Sequence, residues 1–329
     1  MTALRAAVVG AGPVGRIHAR ALGANPLAEL VAVCGRTPLK TEELAARHGV
    51  GPYLSVQEMM RSERPDVVCI CTGNADHADP TLNALEHGAH VFVEKPLAMR
   101  VDEAAAMVTA ARGRGLQLGV NFNHRFSAPY SKARTFVDQG GAGSLAYVTM
   151  KFAGSLYKVL NDPYCQLIET QGHSFDLMRL FAGEVEQVSA FFADPRNIGV
   201  YTSAAIAMSF SSGAVGTLLG SWDSSYDHPE AQSFELCGLR GRVVVENIVD
   251  AVRFFDHDTE EYTEWRPGLF DSQKRDFWAT IDAHIDAFLE ALAGGKPPPV
   301  SGEDGLKALE LTFAAIRSFE EGTVVSPSS

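Results

Sequence analysis

In the first 121 residues, short apolar runs without polar alternation recur in step with stretches of helical periodicity. Residues 5–9, 30–34, 67–71, 90–93 and 117–120 read as strands. The intervening residues 14–22, 40–48, 55–61, 77–87 and 102–112 read as helices. A strand that is apolar on both sides must be covered on both faces. Strand–helix alternation of this length therefore packs as an α/β fold with a doubly wound parallel sheet.

The pattern changes near Asn121. A helix over 129–139 stops at Gly140-Gly141, and a second is expected over 165–181. Alternating segments follow at 187–192, 203–210, 213–220, 233–237, 242–246 and 251–255. They predict an open, mostly antiparallel sheet with helices on one face. Helices at 271–293 and 305–321 close the chain, and 325–329 reads as a frayed tail. The division is drawn as 1–121, a dinucleotide-binding domain, and 122–329, a substrate-binding and oligomerisation domain.

Charge follows the same division. Of 28 Lys+Arg and 40 Asp+Glu, residues 1–121 carry 12 and 12, so the net −12 lies wholly in residues 122–329. That balance excludes a general affinity for nucleic acid or an anionic membrane. The five cysteines are scattered, and Cys34, Cys69 and Cys71 fall inside apolar strands as small hydrophobes. No ligand set accompanies Cys69-x-Cys71, so no metal is expected. The N-terminus has no charged-then-apolar signal region and no apolar run reaches about 18 residues, so the cytoplasm is the expected location.

Gly10-Ala11-Gly12-Pro13-Val14-Gly15 follows the first strand and opens a helix. In a GxGxxG turn, Gly10 permits the tight bend, Gly12 lets backbone approach a pyrophosphate, and Gly15 allows close helix–strand packing. The amides at the helix N-terminus, beyond Pro13 and Val14, then face the phosphates. At the end of the second strand, where an NAD site usually carries a carboxylate for the ribose 2′-hydroxyl, the sequence is Gly35-Arg36-Thr37. Arg36 can bind a 2′-phosphate with Thr37 as a further donor, so NADP is expected, with NAD the alternative.

Glu94-Lys95-Pro96 follows the fourth strand, at the carboxyl edge where open α/β sheets bind ligands. Beside a nicotinamide, Lys95 is a candidate for polarising a substrate hydroxyl or carbonyl. Glu169, His173 and Asp176, spaced i, i+4, i+7, are expected on one face of one helix. A carboxylate one turn from a His can set its orientation and basicity for proton exchange; the same spacing also describes a surface ion-pair stripe.

The series resembles the glucose–fructose oxidoreductase/inositol dehydrogenase/rhizopine catabolism (Gfo/Idh/MocA) family over nearly the whole chain. It runs from Gly10 to Gly15, through Thr72-Gly73-Asn74…His77, Glu94-Lys95-Pro96 and Asn121-Phe122-Asn123-His124-Arg125-Phe126. It ends with Gly172-His173-Ser174-Phe175-Asp176 and Ser301-Gly302-Glu303-Asp304-Gly305. The resemblance implies a Rossmann domain, a second α/β domain with an open sheet, and hydride exchange between a nicotinamide and a carbon of a sugar, inositol or related polyol. It implies cofactor contacts at Thr72, Gly73, Asn74, His77, Glu94 and Lys95, with Lys95 on the substrate oxygen and His173 as acid/base. Glu169 stands where the family often has Asp, and would orient His173 and touch a substrate hydroxyl. Gln171 stands where Gly is common.

Arg125 is assigned to substrate or cofactor, or to a structural ion pair. Tyr157 is assigned to substrate, and Asn161, Asp162, Tyr164, Trp222 and Asp223 are weaker candidates. Two other readings stay open: a non-catalytic NAD(P)-binding sensor, and a sugar–sugar oxidoreductase with tightly held cofactor. The resemblance further implies a homodimer or homotetramer paired through the C-terminal sheet.

Overall fold

A computed structural model describes residues 3–155 and 162–327. The chain forms two compact units: Met1–Asn123 with Trp278–Leu309, and His124–Phe277 with Glu310–Ser329.

In the first unit, β1 (Leu4–Val9), α1 (Pro13–Ala24), β2 (Ala28–Cys34), α2 (Pro38–His48), β3 (Gly51–Tyr53), α3 (Val56–Glu63), β4 (Val67–Ile70), α4 (Ala78–Glu86), β5 (His90–Val93), α5 (Val101–Gly113) and β6 (Leu118–Val120) alternate as expected, with the short β3 added. All strands are parallel, in the order β3-β2-β1-β4-β5-β6, the doubly wound arrangement with its switch point between β1 and β4. The loops after these two strands therefore flank the crevice where such sheets bind ligands.

The second unit contains α6 (Ala128–Asp138), β7 (Leu145–Ala153), α7 (Cys165–Thr170), α8 (Gly172–Ala182), β8 (Val185–Ala193), β9 (Ser203–Phe210), β10 (Val215–Ser221), β11 (Gln232–Gly238), β12 (Gly241–Glu246), β13 (Ala251–Asp256), β14 (Tyr262–Trp265) and α9 (Ser272–Arg275). Its eight-stranded sheet is ordered β14-β13-β12-β11-β7-β10-β9-β8. Pairings are antiparallel except β7 with β10. The sequence reading missed β7, although it lies centrally between β11 and β10. Alternation sorts the two faces: Ile206, Leu218, Met150, Phe234 and Val245 stand in register as one buried row. On the other face, Phe191, Val215 and Leu219 are exposed.

Two helices end the chain, α10 (Ala279–Ala293) and α11 (Gly302–Glu321). The single cut expected after residue 121 does not hold, because 278–309 packs into the first unit. Ile281, Ile285, Phe288 and Leu289, spaced along one face of α10, join Val8, Leu22 and Phe92 in one apolar core. Burying each such side chain is worth about 1.5–3 kcal/mol. Gly119 on β6 makes room for Phe288, since a Cβ there would lie 2.8 Å from its ring. Arg20–Asp282 and Asn25–Asp286 fasten the same helix from outside. The expected tail is also tied down: Val325 exchanges backbone hydrogen bonds with Val188. Among the described residues, no helix is long and apolar enough to cross a membrane.

Candidate active site

The glycine loop has the shape its sequence requires. Gly10 adopts φ +117°, and a Cβ there would sit 2.4 Å from the Cys71 carbonyl oxygen. A Cβ on Gly15 would lie 1.7 Å from the carbonyl oxygen of Gly10. Above Gly12 there is open space. Gly12 caps α1 with no side-chain hydrogen bond, Pro13 follows it, and the first turn holds no acidic residue. Open backbone at Gly12 and uncapped amides over Val14 and Gly15 fit a pyrophosphate.

Arg36 is highly exposed after β2 and forms an ion pair with Asp76 at 2.8 Å. Thr37 caps α2. The Thr72 hydroxyl donates to the Asp76 carbonyl at 2.8 Å, which holds the Gly73-Asn74 turn against the end of β4. His77 is enclosed, 1% exposed, and its Nδ1 lies 2.7 Å from the Pro96 carbonyl oxygen. A carbonyl only accepts, so this nitrogen carries the proton. Burial lowers the imidazole pKa. This side chain thus braces the Glu94-Lys95-Pro96 turn.

Glu94 is held just as firmly. One carboxylate oxygen accepts from His18 Nε2 at 2.8 Å and Asn121 Nδ2 at 2.6 Å. Burial alone would push this carboxyl up; the hydrogen bonds and charges of His18, Asn121 and Lys95 outweigh it and hold the group below its usual range. Lys95, half-buried, lies between two anchored neighbours.

In the second unit, the expected single helix breaks at Gln171. Glu169 lies in the last turn of α7, whereas His173 and Asp176 belong to α8, so the three do not share one helix. Gln171 is fully buried; it donates to the Phe152 carbonyl at 3.2 Å and accepts from the Ser174 hydroxyl at 2.8 Å. It packs where Gly220 has no side chain: a Cβ there would meet its amide at 2.7 Å. The Gln171 side chain is therefore engaged within the fold.

Asp176 pairs with Arg125. Arg125 Nε donates to Oδ2 at 2.7 Å and Nη2 to Oδ1, and both side chains are largely buried. Of the assignments for Arg125, the structure displays the ion pair. His173, 5% exposed, lies flat on His124, ring centroids 3.8 Å apart and planes 9° apart. Phe152 and Phe277 stand edge-on to His124. Gln232 accepts from Tyr130 and presents its amide nitrogen to His124 Nδ1 at 3.2 Å. The sequence reading overlooked His124 as a partner of His173, because nothing in their spacing brings the two rings together.

Phe152 and Gln232 also line a cavity of about 670 Å³ with Tyr226, His228 and the carboxylates of Asp227 and Glu230. Tyr157 and Asn161 lie outside the described residues. Tyr164 donates to Glu320, Trp222 donates to Thr170, and Asp223 accepts from Thr202, Ser203 and Arg196, so these weaker candidates are engaged within the fold. Burial pushes the Cys69 and Cys71 thiols up. Among the described residues, no cluster of three His, Cys, Asp or Glu could hold a metal.

Residues 4–122 match the family described as oxidoreductase family, NAD-binding Rossmann fold, and residues 166–326 match its C-terminal alpha/beta domain. The chain is 28% identical over 337 residues to inositol 2-dehydrogenase of Rhizobium meliloti, covering 98% of this chain and 99% of the relative. It is 26% identical over 308 residues to D-xylose 1-dehydrogenase (NADP(+)) 2 of Haloferax volcanii, covering 90% and 91%. The crystal structure of scyllo-inositol dehydrogenase from Lactobacillus casei, 20% identical, shares the fold with a TM-score of 0.83 over 100% of both chains. With both domains matched in chain order, the chain belongs to the Gfo/Idh/MocA oxidoreductase family.

Proposed function

We propose that this chain is a nicotinamide-dependent dehydrogenase of a sugar, inositol or related polyol. The similarity to inositol 2-dehydrogenase along almost the full length of both chains carries this reading. A bound nicotinamide supplies the hydride acceptor or donor. Lys95 holds and polarises the substrate oxygen, and His173 exchanges its proton. The anchoring of Glu94 and Pro96 on either side of Lys95, and the flat seat of His173 on His124, support these roles because both groups start from restricted positions. Glu169, on a separate helix from His173, contributes to substrate hydroxyl recognition.

The substrate is a neutral polyhydroxy compound. Asp227 and Glu230 in the cavity wall beside Gln232 suit hydroxyl donors, and Arg266 in the same wall is held by Glu246 and Glu264. NADP is accepted through Arg36 and Thr37, with Asp76 competing for the same guanidinium. The exposed row of Phe191, Val215 and Leu219 supports a homodimer or homotetramer through that sheet face.

The test is a panel of inositols, aldoses and keto-sugars assayed with NAD and NADP by nicotinamide absorbance. At least one neutral polyol should turn over, and Lys95→Ala and His173→Ala should each lower turnover by at least about a hundredfold. Near-normal rates in both variants would exclude the assigned roles. Light scattering that shows a monomer at micromolar concentration would exclude the assembly.

A further inference from the structure

A chain of buried polar side chains runs through the first unit from α1 to α10. His18 and Asn121 both reach the same oxygen of Glu94, at 2.8 and 2.6 Å. Asn121 Oδ1 is in turn 2.9 Å from His284 Nδ1. His18, Asn121 and His284 are all at most 1% exposed. An ionised carboxylate only accepts, so Asn121 must turn its amide nitrogen to Glu94 and its oxygen to His284. His284 Nδ1 then carries a proton and donates it, and His18 donates from Nε2. Every link is polarised toward Glu94, the residue immediately before Lys95.

The apolar surroundings keep this relay in place. Phe92, on β5 just before the turn, receives His284 edge-on at 4.8 Å and His18 at 5.7 Å. Phe288, one turn beyond His284 on α10, packs on Phe92 at 5.0 Å. Asn121 is also fixed through its backbone, which donates to the Val93 carbonyl at 2.8 Å. A polar group this deep is costly unless bonded, so His284 has a specific partner to serve.

We propose that His284 is a positioning residue for Lys95, acting through Asn121 and Glu94. The helix that returns to the dinucleotide-binding unit after residue 277 thus sets the placement of the lysine, in addition to filling the core. This inference rests on the reading of Lys95 as the group on the substrate oxygen.

The test compares His284→Phe, which keeps the edge-on packing and removes the donor, with His284→Gln, which retains a donor. Asn121→Leu cuts the same relay one link nearer Glu94. Lys95 is labelled with a trace amount of an acetylating reagent in cofactor-free protein, and its rate is read by peptide mass spectrometry. His284→Phe and Asn121→Leu should change that rate by about threefold or more, the effect of half a pKa unit, while His284→Gln stays near wild type. With an active polyol, kcat in the first two variants should fall about 10- to 100-fold with little change in cofactor Kd. Wild-type Lys95 labelling in folded His284→Phe or Asn121→Leu, or equal loss in His284→Gln, overturns the proposal. Near-normal turnover in Lys95→Ala would instead overturn the assigned role of Lys95, and the labelling result would still report whether His284 positions it.

Discussion

His173 lies face to face with His124 at a centroid separation of 3.8 Å, and Gln232 fixes the lower ring from its edge. Two flat rings in van der Waals contact leave His173 little freedom to tilt. If orientation is what His124 supplies, a flat apolar replacement should largely preserve it. His124→Ala is expected to lower turnover about tenfold or more, and His124→Phe to recover most of the loss. Initial rates with a saturating polyol check this; equal rates in both variants and wild type would exclude the platform role.

Asp176 and Arg125 form a buried, two-point ion pair. Removing one member strands a charge in a poorly solvated site. Asp176→Ala is expected to destabilise the protein by about 3–5 kcal/mol, measured as a shift in urea midpoint. A double Asp176→Ala, Arg125→Met variant should recover part of that loss.

The Arg36–Asp76 pair is exposed, so its own contribution to stability is small, about 0–1 kcal/mol. Its consequence is for cofactor choice, since a 2′-phosphate and Asp76 require the same guanidinium. Asp76→Asn should lower the KM for NADP several-fold relative to that for NAD, and Arg36→Ala should raise it. Parallel changes for both cofactors would show that the pair does not discriminate.

Gly15 has its α-hydrogen against backbone that cannot move aside. Gly15→Ala should abolish NAD(P) binding in a fluorescence titration, because the helix must retreat from the loop that cradles the pyrophosphate. Gly12→Ala meets no protein atom within 4 Å, so its effect should be confined to ligand affinity with an unchanged melting temperature.

Glu94 gives the stability a defined pH dependence. Burial raises its pKa, but His18, Asn121 and Lys95 more than reverse this, and the carboxyl is held below its usual 4.5. The ionised form therefore contributes stability that is complete above that value and lost as pH falls through the lower folded value. The melting temperature of Glu94→Gln should lie below wild type at neutral pH. The gap should narrow as pH falls below 4.5. A gap unchanged to pH 3 would count against this placement.

The parallel sheet, the glycine turn and the Lys95 turn were legible because each rests on local pattern. Uniformly apolar strands, a GxGxxG at a strand–helix junction and a lysine just after the strand over 90–93 are all readable within a few residues. The strand over 145–153 was missed because its outward residues Tyr147, Thr149 and Lys151 and inward Val148 and Met150 give a weak alternation, recognisable only beside its partners. Likewise, helical periodicity ran unbroken across Gln171, and only its bonds to Phe152 and Ser174 mark the break.

By itself, the sequence determined the family, the glycine cradle and the chemical type of each candidate group. Tertiary structure decided which groups meet: His173 with His124, Arg125 with Asp176, Arg36 with Asp76, and His284 with Asn121. These pairs are separated by up to 163 residues, and no local propensity encodes them. They arise because buried polar groups must find partners wherever packing of the apolar faces has brought one within reach.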